Sequence, residues 1–174
     1  MRASVFVAVS LDGFIARPDG SVDWLDVPQE NEDYGFAAFM DSVDALVMGR
    51  NTFDFVMATG EWPYGDKPVI VLTHRPLQVP AGLAGVVETS ALVPLELADE
   101  LDHHGTGHVY VDGGATIRSF LDAGLVDRMI ITTIPILIGT GIALFGASAA
   151  DIALRHVNTM TYTSGLVQTT YDVT

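Results

Sequence analysis

The sequence predicts an α/β domain: a central, mainly parallel but mixed sheet flanked by helices, with a C-terminal antiparallel hairpin. Three observations predict it. Short runs rich in Val, Ile and Leu recur along the chain, and apolar residues at helical spacing follow most of them. Glycine stands at the strand-to-helix junctions, at Gly49 and at Gly113-Gly114. The last two runs have no helix between them, only Ser164-Gly165, which is hairpin chemistry. The 174 residues, 49% hydrophobic, suffice for one domain spanning residues 1–174.

Residues 4–9, Ser-Val-Phe-Val-Ala-Val, have the β-branched character of a central strand. Arg17-Pro-Asp-Gly20 is a turn by composition, and the stretch to about residue 31 is expected to be an irregular loop long enough to act as a lid. Phe36, Phe39, Met40 and Val43 follow i, i+3, i+4, i+7, which predicts an amphipathic helix with its apolar face on the sheet. Residues 45–48 are a second buried strand. It passes at once into a helix start at residues 49–52, with Phe53, Val56 and Met57 as the helix face and Gly60 as its stop. Residues 67–73 and 85–89 are the third and fourth strands. Pro94 then opens a helix patterned by Leu95, Ala98 and Leu101 that stops at Gly105. In residues 108–121 a strand meets two glycines and turns directly into a helix carrying Ile117, Phe120 and Leu121. Residues 128–134 are a further strand, followed by a glycine-containing loop through residues 138–141 and the closing hairpin.

Formal net charge is −14 and the pI about 4.3, which disfavours nucleic acid or an anionic membrane surface as a partner. The absence of cysteine excludes disulfides and thiolate metal sites. His103, His104 and His108 lack the spacing of a ligand set, so no metal site is predicted. The most apolar segment, residues 129–138, is short and interrupted by Thr132, Thr133 and Pro135, and the N-terminus lacks a signal pattern; a cytoplasmic location is expected.

With only eight Lys and Arg, an anionic ligand must be held by backbone N–H groups and a few placed cations. Gly113-Gly114 sits at a helix N-terminus, where free N–H groups and the helix dipole favour an anion and the glycines clear its approach. In a parallel sheet, ligands bind beyond the strands' carboxyl ends. That rule gathers residues 10–16, 49–52, 73–75, 113–114 and 132–133 along one crevice.

Five stretches then coincide in order: Val-Ala-Val-Ser-Leu-Asp-Gly-Phe-Ile-Ala at 7–16, Val-Met-Gly-Arg-Asn-Thr-Phe at 47–53, Val-Ile-Val-Leu-Thr-His-Arg-Pro at 69–76, Val-Asp-Gly-Gly-Ala-Thr-Ile at 111–117, and Leu-Val-Asp-Arg at 125–128 with Pro135, Gly139, Gly141, Leu144 and Phe145. Together they resemble the dihydrofolate reductase superfamily, in the branch related to the C-terminal reductase domain of the bifunctional riboflavin-biosynthesis protein. The resemblance implies a dihydrofolate reductase-like fold and an NADPH-dependent reductase of a small heterocyclic, pterin- or pyrimidine-like substrate, and it implies a homodimer. The alternative is a non-catalytic nucleotide- or pterin/flavin-binding module on the same fold.

Carried over, Ala8 and Ile15 would hold the nicotinamide amide, and Gly49, Arg50, Asn51 and Thr52 a phosphate. Thr73, His74 and Arg75 would take the adenosine 2′-phosphate, and Gly113, Gly114, Ala115 and Thr116 the pyrophosphate. Arg50 and Arg75 are the cations on the correct side of the sheet for that phosphate. By ungapped counting Asp33 falls at the family's substrate-binding carboxylate, with Glu30 and Glu32 as competitors. Buried there, its pKa would rise and it could deliver a proton near neutral pH. Thr132 matches the threonine that supports that carboxylate, and Trp24 in the lid would stack on a flat ring or anchor the loop. No dense set of cations is placed for a glutamate tail, which leaves the substrate unidentified.

Overall fold

The computed structural model describes residues 1–25, 33–146 and 150–174. Eight strands form one sheet in the order β5-β4-β3-β6-β1-β7-β10-β9. They are β1 (Arg2–Ser10), β3 (Ala45–Gly49), β4 (Val69–Leu72), β5 (Val87–Ser90), β6 (His108–Asp112), β7 (Arg128–Ile134), β9 (Leu154–Thr161) and β10 (Val167–Val173). From β5 to β7 every pairing is parallel; β10 runs antiparallel to both β7 and β9. The predicted mixed sheet with a terminal hairpin is therefore the observed one.

The helices cover both faces, as the continuous apolar character of the parallel strands requires. On one face, Ile117 and Phe120 of α4 (Gly114–Asp122) and Leu97 and Leu101 of α3 (Pro94–His103) pack on Ala3, Val5, Val47, Val109 and Val111. On the other, α1 (Phe36–Asp41) and α2 (Arg50–Thr59) bring Phe39, Met40, Phe53 and Val56 against Leu46, Met48 and Tyr110. Side chains alternate along β6, so Tyr110 and Asp112 share the second face.

Two local expectations change. Helix α1 stops at Asp41, two residues before the apolar spacing ends at Val43, because the Ser42 hydroxyl donates to the Phe39 carbonyl at 2.7 Å and competes with the helix. Within the stretch expected to be irregular, β2 (Phe14–Ala16) pairs antiparallel with β8 (Ile142–Ala143). The Ser-Leu-Asp-Gly motif sets this up. Ser10 Oγ donates to Asp12 Oδ1 at 2.6 Å, and Asp12 Oδ2 accepts the Gly139 N–H at 2.8 Å, tying the loop after β1 to the loop after β7.

The feature that makes room for a ligand is a split in the sheet. Strand β1 pairs with β6 over only three positions, ending at Ser4 opposite Tyr110, whereas its pairing with β7 runs on to Ser10 opposite Ile134. Beyond Ser4 the backbone of β1 on the β6 side has no strand beside it. The Phe6 carbonyl is capped there by the Tyr110 hydroxyl at 2.8 Å. By the two-residue alternation of a strand, the N–H and C=O of Ala8 face the same gap.

Candidate active site

A crevice of ≈ 770 Å³ opens from this split along the carboxyl ends of β1, β3 and β6. Ala8, Ile15, Gly49, Arg50, Asn51, Thr52, Gly113, Gly114, Ala115 and Thr116 all line it. Its floor is two helix N-termini brought together by the pairing of β3 with β6, which sets Met48 beside Asp112. Neither α2 nor α4 has a side-chain cap, so the N–H groups of both first turns face the crevice without an internal partner. They nearly touch: a Cβ on Gly113 would lie 2.2 Å from Thr52 Oγ1, and one on Gly49 3.0 Å from Thr116 Oγ1. A Cβ on Gly114 would fall 2.6 Å from Ile15 Cδ1. The glycines thus serve packing as well as approach, since no other residue lets the two positive helix ends converge. Diphosphate chemistry fits such a double N-terminus.

Two cations line the crevice. Arg50 is oriented by Asp54, with Nε to Oδ2 at 2.8 Å, and its Nη1 donates to the Pro76 carbonyl at 3.2 Å, so it spans from α2 to the segment after β4. Arg118 was not singled out from sequence. It lies one helical turn after Gly114, and its Nη1 donates to the Ala143 carbonyl at 2.6 Å. The i, i+4 spacing from the glycine, in a cation-poor chain, was the available signal. Thr73, His74 and Arg75 do not line the crevice itself; they follow Leu72, which does. His74 and Arg75 are exposed, and Thr73 Oγ1 accepts the Arg75 N–H at 3.1 Å.

Beside this floor, on the face shared by Tyr110 and Tyr64, stands a group that sequence reasoning passed over. Asp112 is partly buried in the crevice wall, with the Gly113 N–H donating to Oδ1 at 2.8 Å and the Tyr64 hydroxyl reaching Oδ2 at 3.4 Å. Burial pushes its carboxyl above the usual range, against the opposite pull of these donors and of Tyr110. Burial beside Asp112 also drives the phenols of Tyr64 and Tyr110 well above their ordinary value, so both remain hydrogen-bond donors. The alternation of β6 pointed at this acid, but Asp112 was read as part of the glycine turn.

Two substrate-end expectations, at Asp33 and Thr132, are corrected, and of the two roles open to Trp24 one is selected. Asp33 is exposed, and its carboxylate accepts the N–H groups of Gly35 and Ala37, each at 3.0 Å, which hold its pKa below the usual range. It caps the start of α1 and has no raised pKa. Thr132 is buried, but among the described residues its hydroxyl meets no carboxylate; it accepts from Gln168 Nε2 at 3.0 Å, and Gln168 also donates to the Tyr34 carbonyl. Trp24 is 6% exposed and packs with Ile134 and Leu166, away from the crevice, so it anchors its loop. Glu30 and Glu32 lie outside the described residues. Of the histidines, His108 bridges the Ser42 carbonyl and Ser4 Oγ at 2.7 and 2.8 Å, which accounts for it structurally.

Comparison with known proteins identifies the family and the fold. The RibD C-terminal domain model matches residues 4–168. The uncharacterized protein YwjB of Bacillus subtilis is 33% identical over 156 residues, covering 88% of each chain. A solved Shewanella structure, provisionally named for riboflavin biosynthesis, is 41% identical with a TM-score of 0.94 over 100% of this chain and 99% of the other. The dihydrofolate reductase of Enterococcus faecalis, solved with NADP(H), shares the fold at a TM-score of 0.67 and 20% identity, covering 99% and 96% of the two chains. This chain belongs to the RibD C-terminal domain family and has the dihydrofolate reductase-like fold.

Proposed function

We propose that the chain is an NADPH-dependent reductase of a small conjugated substrate and that Asp112, not Asp33, supplies the proton. The observation that carries the reading is the crevice itself, in which two uncapped helix N-termini converge and a partly buried acid stands immediately beside them, held by the Gly113 N–H. The first-turn N–H groups after Gly49 and Gly113 would hold the diphosphate, with Arg118 behind Gly114. The Ala8 N–H and C=O, freed by the split between β1 and β6, would pair with the carboxamide. When bound, reduced nicotinamide supplies a hydride. Asp112 holds a proton where it can pass to the nitrogen or oxygen of the C=N or C=O bond whose carbon accepts that hydride, and Phe6, Val56 and Tyr64 keep water from this end.

Arg50 is pre-oriented beside the residue 73–75 segment, and these two elements would take the 2′-phosphate. Arg50→Ala is expected to weaken NADPH binding about 10- to 100-fold in a nicotinamide fluorescence titration, the range of a lost charged hydrogen bond, and to leave NADH binding nearly unchanged. Arg75→Ala should act in the same direction. Equal losses for both nucleotides would place the 2′-phosphate elsewhere.

The expected homodimer remains part of this proposal. All eight residues of β9 are exposed, among them Leu154, Val157 and Met160. Residues 152–171 hold no Asp or Glu in a chain with 22, so a second copy can approach this edge without charge repulsion. Val157→Lys with Met160→Lys should give a monomer in sedimentation velocity if β9 forms the contact; an unchanged dimer would move it elsewhere.

A further inference from the structure

We infer that the substrate of this crevice carries no anionic group, neither a phosphate ester nor a carboxylate tail. The inference rests on the reductase reading and concerns the end of the crevice that the dinucleotide would leave free. The chain has eight Lys and Arg in all, and each has a place. Arg50 and Arg118 line the cofactor end, and Arg75 follows Leu72 beside it. Arg128 and Arg155 both hold Asp172, with Arg2 nearby, where β1 and β7 begin and β10 ends, at the opposite edge of the sheet. Lys67 donates to the Val43 carbonyl. Arg17, the cation closest in sequence to the crevice residues Gly20 and Val22, is paired with Asp23 and has Asp19 beside it. Residues 26–32, Asp-Val-Pro-Gln-Glu-Asn-Glu, contribute no cation in any conformation.

Among the described residues, the part of the crevice walled by Phe6, Val22, Leu25, Val56 and Tyr64, next to Asp112, therefore carries no cation. An anion bound there would give up its hydration with no countercharge to meet it, which opposes binding strongly. The neutral polar handles on this wall, the phenol of Tyr64 and the carboxyl of Asp112, suit the ring nitrogens and carbonyls of an uncharged flat heterocycle.

Two matched pairs of compounds test this: 5-amino-6-(ribosylamino)uracil against its 5′-phosphate, and 7,8-dihydropterin against dihydrofolate with its glutamate tail. NADPH binding is established first by fluorescence; its absence would sink the reductase reading, not this inference. Each compound is then titrated calorimetrically into the NADP⁺-loaded protein, and NADPH oxidation is followed separately. The expected result is that a neutral member binds and is reduced, with its anionic partner weaker by a factor on the order of 100. Its KM should hardly change between about 0.05 and about 0.5 M salt, because no ion pair is screened. An anionic member that binds as well as or better than its partner would overturn the inference. So would failure of both neutral compounds on a protein that binds NADPH.

Discussion

Asp112→Asn is expected to lower kcat/KM about 10²- to 10⁴-fold, the usual cost of losing a general acid, while making the protein more stable at neutral pH. The two effects have one cause. Burial raises the folded pKa of Asp112 above its unfolded value of roughly 3.9, so folding favours the protonated form. That contribution is complete below the unfolded pKa and is lost as pH rises through the folded one. Asparagine keeps the shape of the protonated acid without the ionisation. Urea denaturation should show the stability gap between variant and wild type widening from pH 4 toward pH 7, in favour of the variant. In the wild type, kcat/KM should fall on the alkaline side as Asp112 ionises, and this limb should be absent from the residual activity of the variant. Tyr64→Phe removes a donor that stabilises the carboxylate, so it should move the limb to higher pH. A variant with activity within tenfold of wild type would mean the proton comes from solvent.

Gly113→Ala is expected to cost roughly 2–5 kcal/mol of folding stability, combining backbone strain with overpacking, and to abolish measurable NADPH binding. Gly113 has φ 87° and ψ 133°, which an L side chain rarely adopts, and its Cβ would overlap Thr52 at 2.2 Å. Relief requires Thr52 to turn its hydroxyl away or α4 to move off α2, and the second opens the double N-terminus. Gly124→Ala separates the two causes: its φ is 67° but nothing lies within 4 Å of a Cβ, so it should show the strain alone and leave NADPH binding intact. Adding Thr52→Ala to the Gly113 variant should restore part of the stability. Equal costs at Gly113 and Gly124 would show that the helix ends are not in contact.

The pair of helix N-termini was legible in the sequence because its devices are local. A β-branched run ending in Gly49 or Gly113-Gly114 and passing straight into helical spacing specifies both the turn and the free N–H groups behind it. The mainly parallel sheet with its antiparallel hairpin followed from the same alternation; the order of its strands did not. The substrate end was not legible, because its parts meet only in three dimensions. Asp33 was placed by counting along the chain, yet the N–H groups of Gly35 and Ala37, at the start of α1, claim its carboxylate first. Tyr64 comes from the segment after α2, 48 residues before Asp112, and nothing local signals that contact. Trp24 illustrates the same limit, since a buried anchor and a stacking platform look alike until the ring's neighbours, Ile134 and Leu166, are known.

The most direct test of the central claim is titration of the purified protein with NADPH and, separately, NADH, followed by nicotinamide fluorescence. The account predicts saturable NADPH binding with NADH weaker by a factor of about 10 to 100, the worth of the Arg50 contact to a 2′-phosphate. Failure to bind either nucleotide would contradict the reductase assignment and leave the double N-terminus to some other anion.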